Sequence, residues 1–182
     1  RVVFLVESHE NMDGTVQEAL KEFFSGEGND FVTAVDEKNI IVVKELAPDD
    51  GYEQVQKIAE SMLDMLSSEV MLSTRVSYGT IVNEIKEVSR SYKEAKMALE
   101  VGKIFFVERH IVAYNALGIG RLIYQLPIPL CKMFIKEIFA DVSPDDFDEE
   151  TLETISKFFE NNLNVSETSR QLFIHRNTLV YR

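Results

Sequence analysis

Apolar residues along the chain follow two patterns, one with strand character and one with helix character. Residues 2–6, Val-Val-Phe-Leu-Val, form an unbroken apolar run, which predicts a buried strand. A polar loop covers residues 7–14. Val16, Ala19, Leu20, Phe23 and Phe24 then recur at helical spacing behind Thr15, a residue able to cap a helix, and the glycines Gly26 and Gly28 stop it. Two β-rich segments, residues 31–35 and 40–43, flank Asp36-Glu37-Lys38-Asn39 and predict a hairpin with a four-residue polar turn. After Pro48-Asp49-Asp50-Gly51, the positions Val55, Ile58, Ala59, Met62, Leu63 and Leu66 mark an amphipathic helix. Residues 75–79 predict a strand. Tyr92, Ala95, Ala98, Leu99 and Val101 predict a helix ending near Gly102, and residues 110–114 a last strand. The order strand, helix, hairpin, helix, strand, helix, strand is that of an α+β domain with helices over an antiparallel-containing sheet. The Phe105-Phe106 and Met62/Met65 pairs occupy core-like positions, and His110 is read as structural.

From Leu117 onward the pattern is helical only. Leu152, Ile155, Phe158, Phe159 and Leu163 share one helical face behind Asp148-Glu149-Glu150, acids that suit a helix N-terminus because they oppose its partial positive charge. Asn162-Leu163-Asn164 breaks the pattern. Ser166 and Ser169 predict the start of a short second helix, with Val165, Ser169, Leu172 and Phe173 facing inward. A turn falls near Ile174-His175. A third helix begins around Arg176-Asn177-Thr178, with Leu179 as its inward residue.

Composition narrows the function classes. The 182 residues are 45% hydrophobic and 27% charged, as in a globular protein, and no apolar run approaches the roughly 20 residues needed to span a bilayer. The opening strand is too short to be a signal peptide, and its start on Arg1 suggests a trimmed fragment. Cys131 is the one cysteine, which excludes an internal disulfide and a cysteine zinc cluster and fits a reducing cytoplasm. The net charge of -12 repels nucleic acid unless basic charge is local. Residues 143–162 hold seven acids against Lys157, whereas residues 163–182 hold Arg170, Arg176 and Arg182 against Glu167 alone. The acidity stops where the three-helix pattern turns into its second helix.

Two short helices joined by a tight turn suit the major groove of DNA, which admits one helix and displays distinct base edges. Arginine can pair bidentately with guanine or neutralise phosphate; Asn, Thr and Tyr can hydrogen-bond bases or phosphate oxygens. The candidate DNA-contacting residues are Ser166, Arg170, His175, Arg176, Asn177, Thr178, Tyr181 and Arg182. On periodicity alone, the same pattern fits two ordinary surface helices equally well.

Residues 162–182 resemble the C-terminal helix-turn-helix of the PucR/CdaR family, bacterial regulators of purine catabolism and sugar-diacid utilisation. The run His175-Arg176-Asn177-Thr178-Leu179 followed by Tyr181-Arg182 carries the resemblance. Ser169 stands where the family usually has Ala. The family's recognition helix runs on past the point where this chain ends, so the resemblance implies a chain cut inside that helix. Residues 2–127 are similar, more loosely, to the GGDEF-like domain that precedes this motif in CdaR-type regulators. The resemblance implies a ferredoxin/nucleotidyl-cyclase-like, degenerate GGDEF-like domain over residues 1–127 and an all-α helix-turn-helix region over residues 128–182.

A cyclase of that fold needs glycines in its hairpin so that backbone can approach the nucleotide, followed by acids for metal and catalysis. The tip Ala34-Val35-Asp36-Glu37-Lys38-Asn39 has no glycine, and a lysine sits where an acid is wanted. No catalytic residues, no cofactor and no metal are therefore expected. Glu7, His9, Glu10 and Asp13 lie where cyclases place a metal-binding carboxylate, and a solvated loop accounts for them more simply. The expected function is a cytoplasmic transcription regulator of catabolic genes that binds double-stranded DNA as a homodimer, with its effector bound outside residues 1–182. A nucleotide-binding or cyclase-like module is the alternative. An RNA-binding ferredoxin-like domain ranks last, because the strand at residues 40–43 lacks the aromatics that stack on bases.

Overall fold

The computed structural model describes residues 1–182 except 9, 11, 13, 27, 141, 142 and 182. The chain divides into two compact units, Arg1–Gln125 and Leu126–Arg182.

In the first unit, β1 (Val2–Ser8) is followed by α1 (Gly14–Phe23), β2 (Phe31–Ala34), β3 (Asn39–Lys44), α2 (Tyr52–Glu69), β4 (Thr74–Tyr78), α3 (Val88–Phe105), β5 (Ile111–Ala113) and the short α4 (Gly120–Tyr124). The sheet order is β2-β3-β1-β4-β5. β1 pairs antiparallel with both β3 and β4, placing Leu5 opposite Ile41 and Ser77, while β5 joins β4 in parallel. The βαββαβ portion is thus ferredoxin-like, extended by α3 and β5. The unbroken apolar run of β1 has its cause in this topology. Val2, Phe4 and Val6 join the cluster with Val16, Leu20, Val55, Met62 and Leu66 from α1 and α2, while Leu5 packs against Ala95 and Leu99 of α3. A strand covered on both faces has no position left for a polar residue.

The α3 helix approaches the sheet so closely that one junction has no room for a side chain. A Cβ on Gly79 would lie 2.0 Å from the Ser91 carbonyl oxygen. Ser91 Oγ accepts from the Val3 amide at 3.1 Å and donates to the Thr80 carbonyl at 2.8 Å, so this buried hydroxyl ties α3 to β1 and to the chain after β4.

Four expectations need correction. Thr15 does not cap α1 but lies inside its first turn, because the helix starts at Gly14. β1 runs on to Ser8, which takes Glu7 out of the expected loop. Gly102 does not end α3, which continues to Phe105; the glycine is there because a Cβ would meet Val112 Cγ2 of β5 at 2.8 Å. Phe105 is 41% exposed rather than core, while Phe106 is partly buried against the cluster of Ala98, Val101, Val112 and Leu117. Met62 and Met65 are buried, and the His110 ring hydrogen-bonds the Thr74 carbonyl through Nδ1 at 3.2 Å.

Replacing Gly79 with Ala is expected to cost about 1–3 kcal/mol, the range for overpacking a filled site, because the obstacle is backbone. Urea denaturation should read this as a lower midpoint at unchanged m-value.

Candidate nucleic-acid interface

The second unit contains α5 (Ile128–Phe139), α6 (Glu149–Glu160), α7 (Val165–Gln171) and α8 (Arg176–Tyr181). The last three form the three-helix arrangement expected from the sequence, and polar contacts position them. Asp148 caps α6, its Oδ1 accepting from the Thr151 amide at 2.7 Å, with Glu149 and Glu150 in the first turn. At the other end, Asn162 (φ 51°) and Leu163 (φ 64°) adopt left-handed conformations that reverse the chain, and the Leu163 amide donates back to the Phe158 carbonyl at 2.8 Å. The side-chain amides of Asn161 and Gln171 hydrogen-bond reciprocally, both at 3.1 Å, and lock the end of α6 to the end of α7.

Asn164, which the sequence pattern suggested only as part of a break, is the N-cap of α7. Its Oδ1 accepts from the amides of Ser166 and Glu167, both at 3.1 Å. The expected start at Ser166 is therefore displaced, and the overlooked signal was Asn164 with Glu167 three positions later, the spacing of a capping box. Thr168, another residue the sequence reading passed over, is fully buried, with its hydroxyl on the Asn164 carbonyl at 2.8 Å. Ser169 is buried too, and its hydroxyl is satisfied by the Ser166 carbonyl at 3.1 Å, so serine fits a site made for a small side chain.

Between α7 and α8, Phe173 takes φ 55° and is 96% exposed, contrary to the inward placement expected for it. A left-handed residue breaks the helical period, so its side chain no longer follows the face set by Val165 and Ser169. Leu152, Ile155, Phe159 and Leu163 are likewise exposed at 40% or more, although they share the expected face of α6. His175 then caps α8. Its Nδ1 accepts from the Asn177 amide at 3.2 Å, and its carbonyl accepts from the Thr178 and Leu179 amides. Leu179 is buried as expected, beside an apolar groove of about 350 Å³ lined by Ile155, Phe158, Val165 and Val180.

This geometry brings His175, Arg176, Asn177 and Thr178 into a single exposed turn, with Tyr181, 93% exposed, one turn further along. Ser166 and Arg170 are exposed on α7, where Arg170 pairs with Glu167. Arg182 lies outside the described residues. Among the described residues Arg176 makes no ion pair, whereas Lys157 pairs with Glu160 and Arg170 with Glu167.

At the hairpin tip of the first unit, Asp36 accepts from the Asn39 side chain and the Lys38 amide, which hold its carboxyl below the usual range. Glu7 is ion-paired with Lys103 at 2.7 Å, and Glu100 is 3.0 Å from the same ammonium. Burial by itself lowers the pKa of Lys103, but these two carboxylates outweigh it and raise the net value. Of the residues considered for a metal, His9 and Asp13 lie outside the described residues. Among the described residues no group of three or more His, Cys, Asp or Glu is placed to hold one.

Replacing Asn164 with Ala should destabilise the second unit by about 1 kcal/mol through loss of its cap, measured by thermal unfolding.

Residues 1–101 match the family model of the GGDEF-like domain, and residues 151–182 that of the PucR C-terminal helix-turn-helix domain. The chain is similar to the purine catabolism regulatory protein of Bacillus subtilis (strain 168), 27% identical over 73% of this chain and 26% of that protein. It is also similar to the DNA-binding transcriptional activator AdeR of the same organism, 28% identical over 83% of this chain and 37% of that one. The carbohydrate diacid regulator of Escherichia coli (strain K12) is 27% identical over 100% of this chain and 50% of its own length. The chain thus spans between a quarter and a half of the curated relatives it matches.

Proposed function

The chain belongs to the PucR/CdaR family, with a GGDEF-like domain joined to a PucR-type C-terminal helix-turn-helix, and from that membership we propose that it serves a DNA-binding transcription regulator. The observation that supports this most directly is the exposed turn His175-Arg176-Asn177-Thr178 at the start of α8, a helix held in place by buried Leu179. A helix presented this way can enter the major groove with its first turn against base edges. Arg176 has the geometry for guanine, Asn177 for adenine, and Thr178 and Tyr181 for base or phosphate oxygens. Ser166 and Arg170 of α7, with Arg182, are assigned to backbone contacts.

In this reading the regulated genes are catabolic, as the names of the relatives suggest, and a small metabolite bound outside residues 1–182 sets the response. The protein acts in the cytoplasm as a homodimer on paired half-sites. Among the described residues no helix is long and apolar enough to cross a membrane. The GGDEF-like domain works here without catalysis, because its hairpin tip offers side chains where a cyclase needs bare backbone.

Binding to promoter DNA, followed by fluorescence anisotropy, is expected to weaken steeply with salt, since phosphate contacts release counterions. Arg176→Ala should lower specific affinity by about 1–3 kcal/mol while leaving the thermal midpoint unchanged. No promoter binding at low salt, with or without candidate metabolites, would sink the proposal. Incubation with GTP and magnesium should give no cyclic dinucleotide and no heat of binding; a measured product would establish the cyclase alternative instead.

A further inference from the structure

The second unit carries an apolar surface that the helix-turn-helix does not use. Helix α5 has twelve residues, and none of them is buried. At 100° per residue, Ile128, Leu130, Cys131, Phe134, Ile135 and Ile138 fall within an arc of about 160°, and the charged residues lie outside it. Ile128 is 70% exposed, and Phe134 and Ile138 are each 60% exposed. Lys132 and Lys136 lie beyond one edge of the arc and Glu137 beyond the other.

We propose that α5 is the surface on which a second copy of this chain docks, with two α5 helices packed in parallel about a two-fold axis. The proposal rests on the regulator reading insofar as that reading calls for a dimer, and it specifies where the dimer forms. Area is the first argument. A half-exposed large side chain offers roughly 100 Å², taking half of what an aromatic buries. Ile128, Leu130, Phe134, Ile135 and Ile138 together come to on the order of 500 Å² per copy. A symmetric pair then approaches the roughly 1,000 Å² that a biological interface needs.

Charge decides the direction. With the dyad along the helices, the Lys132 and Lys136 edge of one copy faces the Glu137 edge of the other. With the dyad across them, lysines would face lysines and glutamates would face glutamates. Direction also suits the operator, because parallel helices send both helix-turn-helix units, which follow α5 in sequence, from the same end of the pair. A two-fold protein then meets a two-fold DNA site. Cys131, near the centre of the arc, would stand at the same height in both copies and so provides a built-in probe.

The test is the mass of the whole chain in solution, by light scattering and sedimentation at micromolar concentrations. The wild type is expected to be a dimer. Phe134→Glu combined with Ile138→Glu is expected to weaken association at least tenfold and yield a monomer. Both positions are exposed, so an unchanged circular-dichroism spectrum should show that the fold survives. A short bis-maleimide should link wild-type copies through Cys131 and fail to link the double variant or Cys131→Ser. The proposal is overturned if the wild type is monomeric, including the case in which its α5 binds lipid vesicles, if the dimer survives the double substitution, or if a dimeric wild type cannot be linked. Arg176→Ala should leave the mass unchanged, so a failure of DNA recognition and a failure of this interface are read separately.

Discussion

The constraint from which the first unit follows is that β1 has no solvent face. Val2, Val3, Phe4 and Val6 are fully buried and Leu5 is nearly so. A strand in that position must have hydrogen-bonding neighbours on both edges and apolar cover on both sides, since an unpaired buried amide is costly. β3 and β4 supply the edges, α1 and α2 cover one face, and α3 covers the other. The contact between α3 and the sheet is tight enough to dictate sequence at its closest points. Gly79 accommodates the Ser91 carbonyl, Gly102 accommodates Val112, and the Ser91 hydroxyl satisfies the Val3 amide that no strand neighbour reaches.

The second unit is held on different terms. Leu179 is its one buried large apolar side chain among the described residues, alongside Thr154, Thr168 and Ser169. With so little apolar area removed from water, caps and side-chain amides set the geometry. Asp148, Asn164 and His175 each place a side-chain acceptor at the start of a helix, and the Asn161–Gln171 pair fixes the angle between two of them. His175 thus has a structural duty beside any role toward DNA. Its ring holds the first turn of α8, from which Arg176, Asn177 and Thr178 project.

What could be read from the sequence follows from the same contrast. Apolar periodicity located β1, the hairpin and α2 to within a residue or two at most boundaries, because burial in the first unit is strong and period-dependent. It failed where a residue's role depends on a distant neighbour. Gly102 looked like a helix stop, yet it answers to Val112, ten residues on. In the second unit the periodicity placed Leu179 inward correctly and Phe173 incorrectly, because a left-handed turn lies between the two. The exposed turn at residues 175–178 was legible as a motif. The caps that present it were only partly so, since Asn164 looks the same in a loop as at an N-cap until Glu167 is counted against it.

Charge links the two halves of the functional reading. A chain of net charge -12 is repelled by DNA at long range. Within the helix-turn-helix, Lys157 pairs with Glu160 and Arg170 with Glu167, so among the described residues Arg176 alone remains without an ion pair. Non-specific affinity grows with the number of phosphates neutralised, and Arg170, Arg176 and Arg182 are few against that net charge. Two copies joined elsewhere change this balance, because the second helix then binds at the effective concentration set by the first. On the proposed reading, an acidic DNA-binding chain gains from an association surface that does not depend on DNA, and the apolar helix α5, adjacent in sequence to α6–α8, offers one with its charged residues outside the apolar arc.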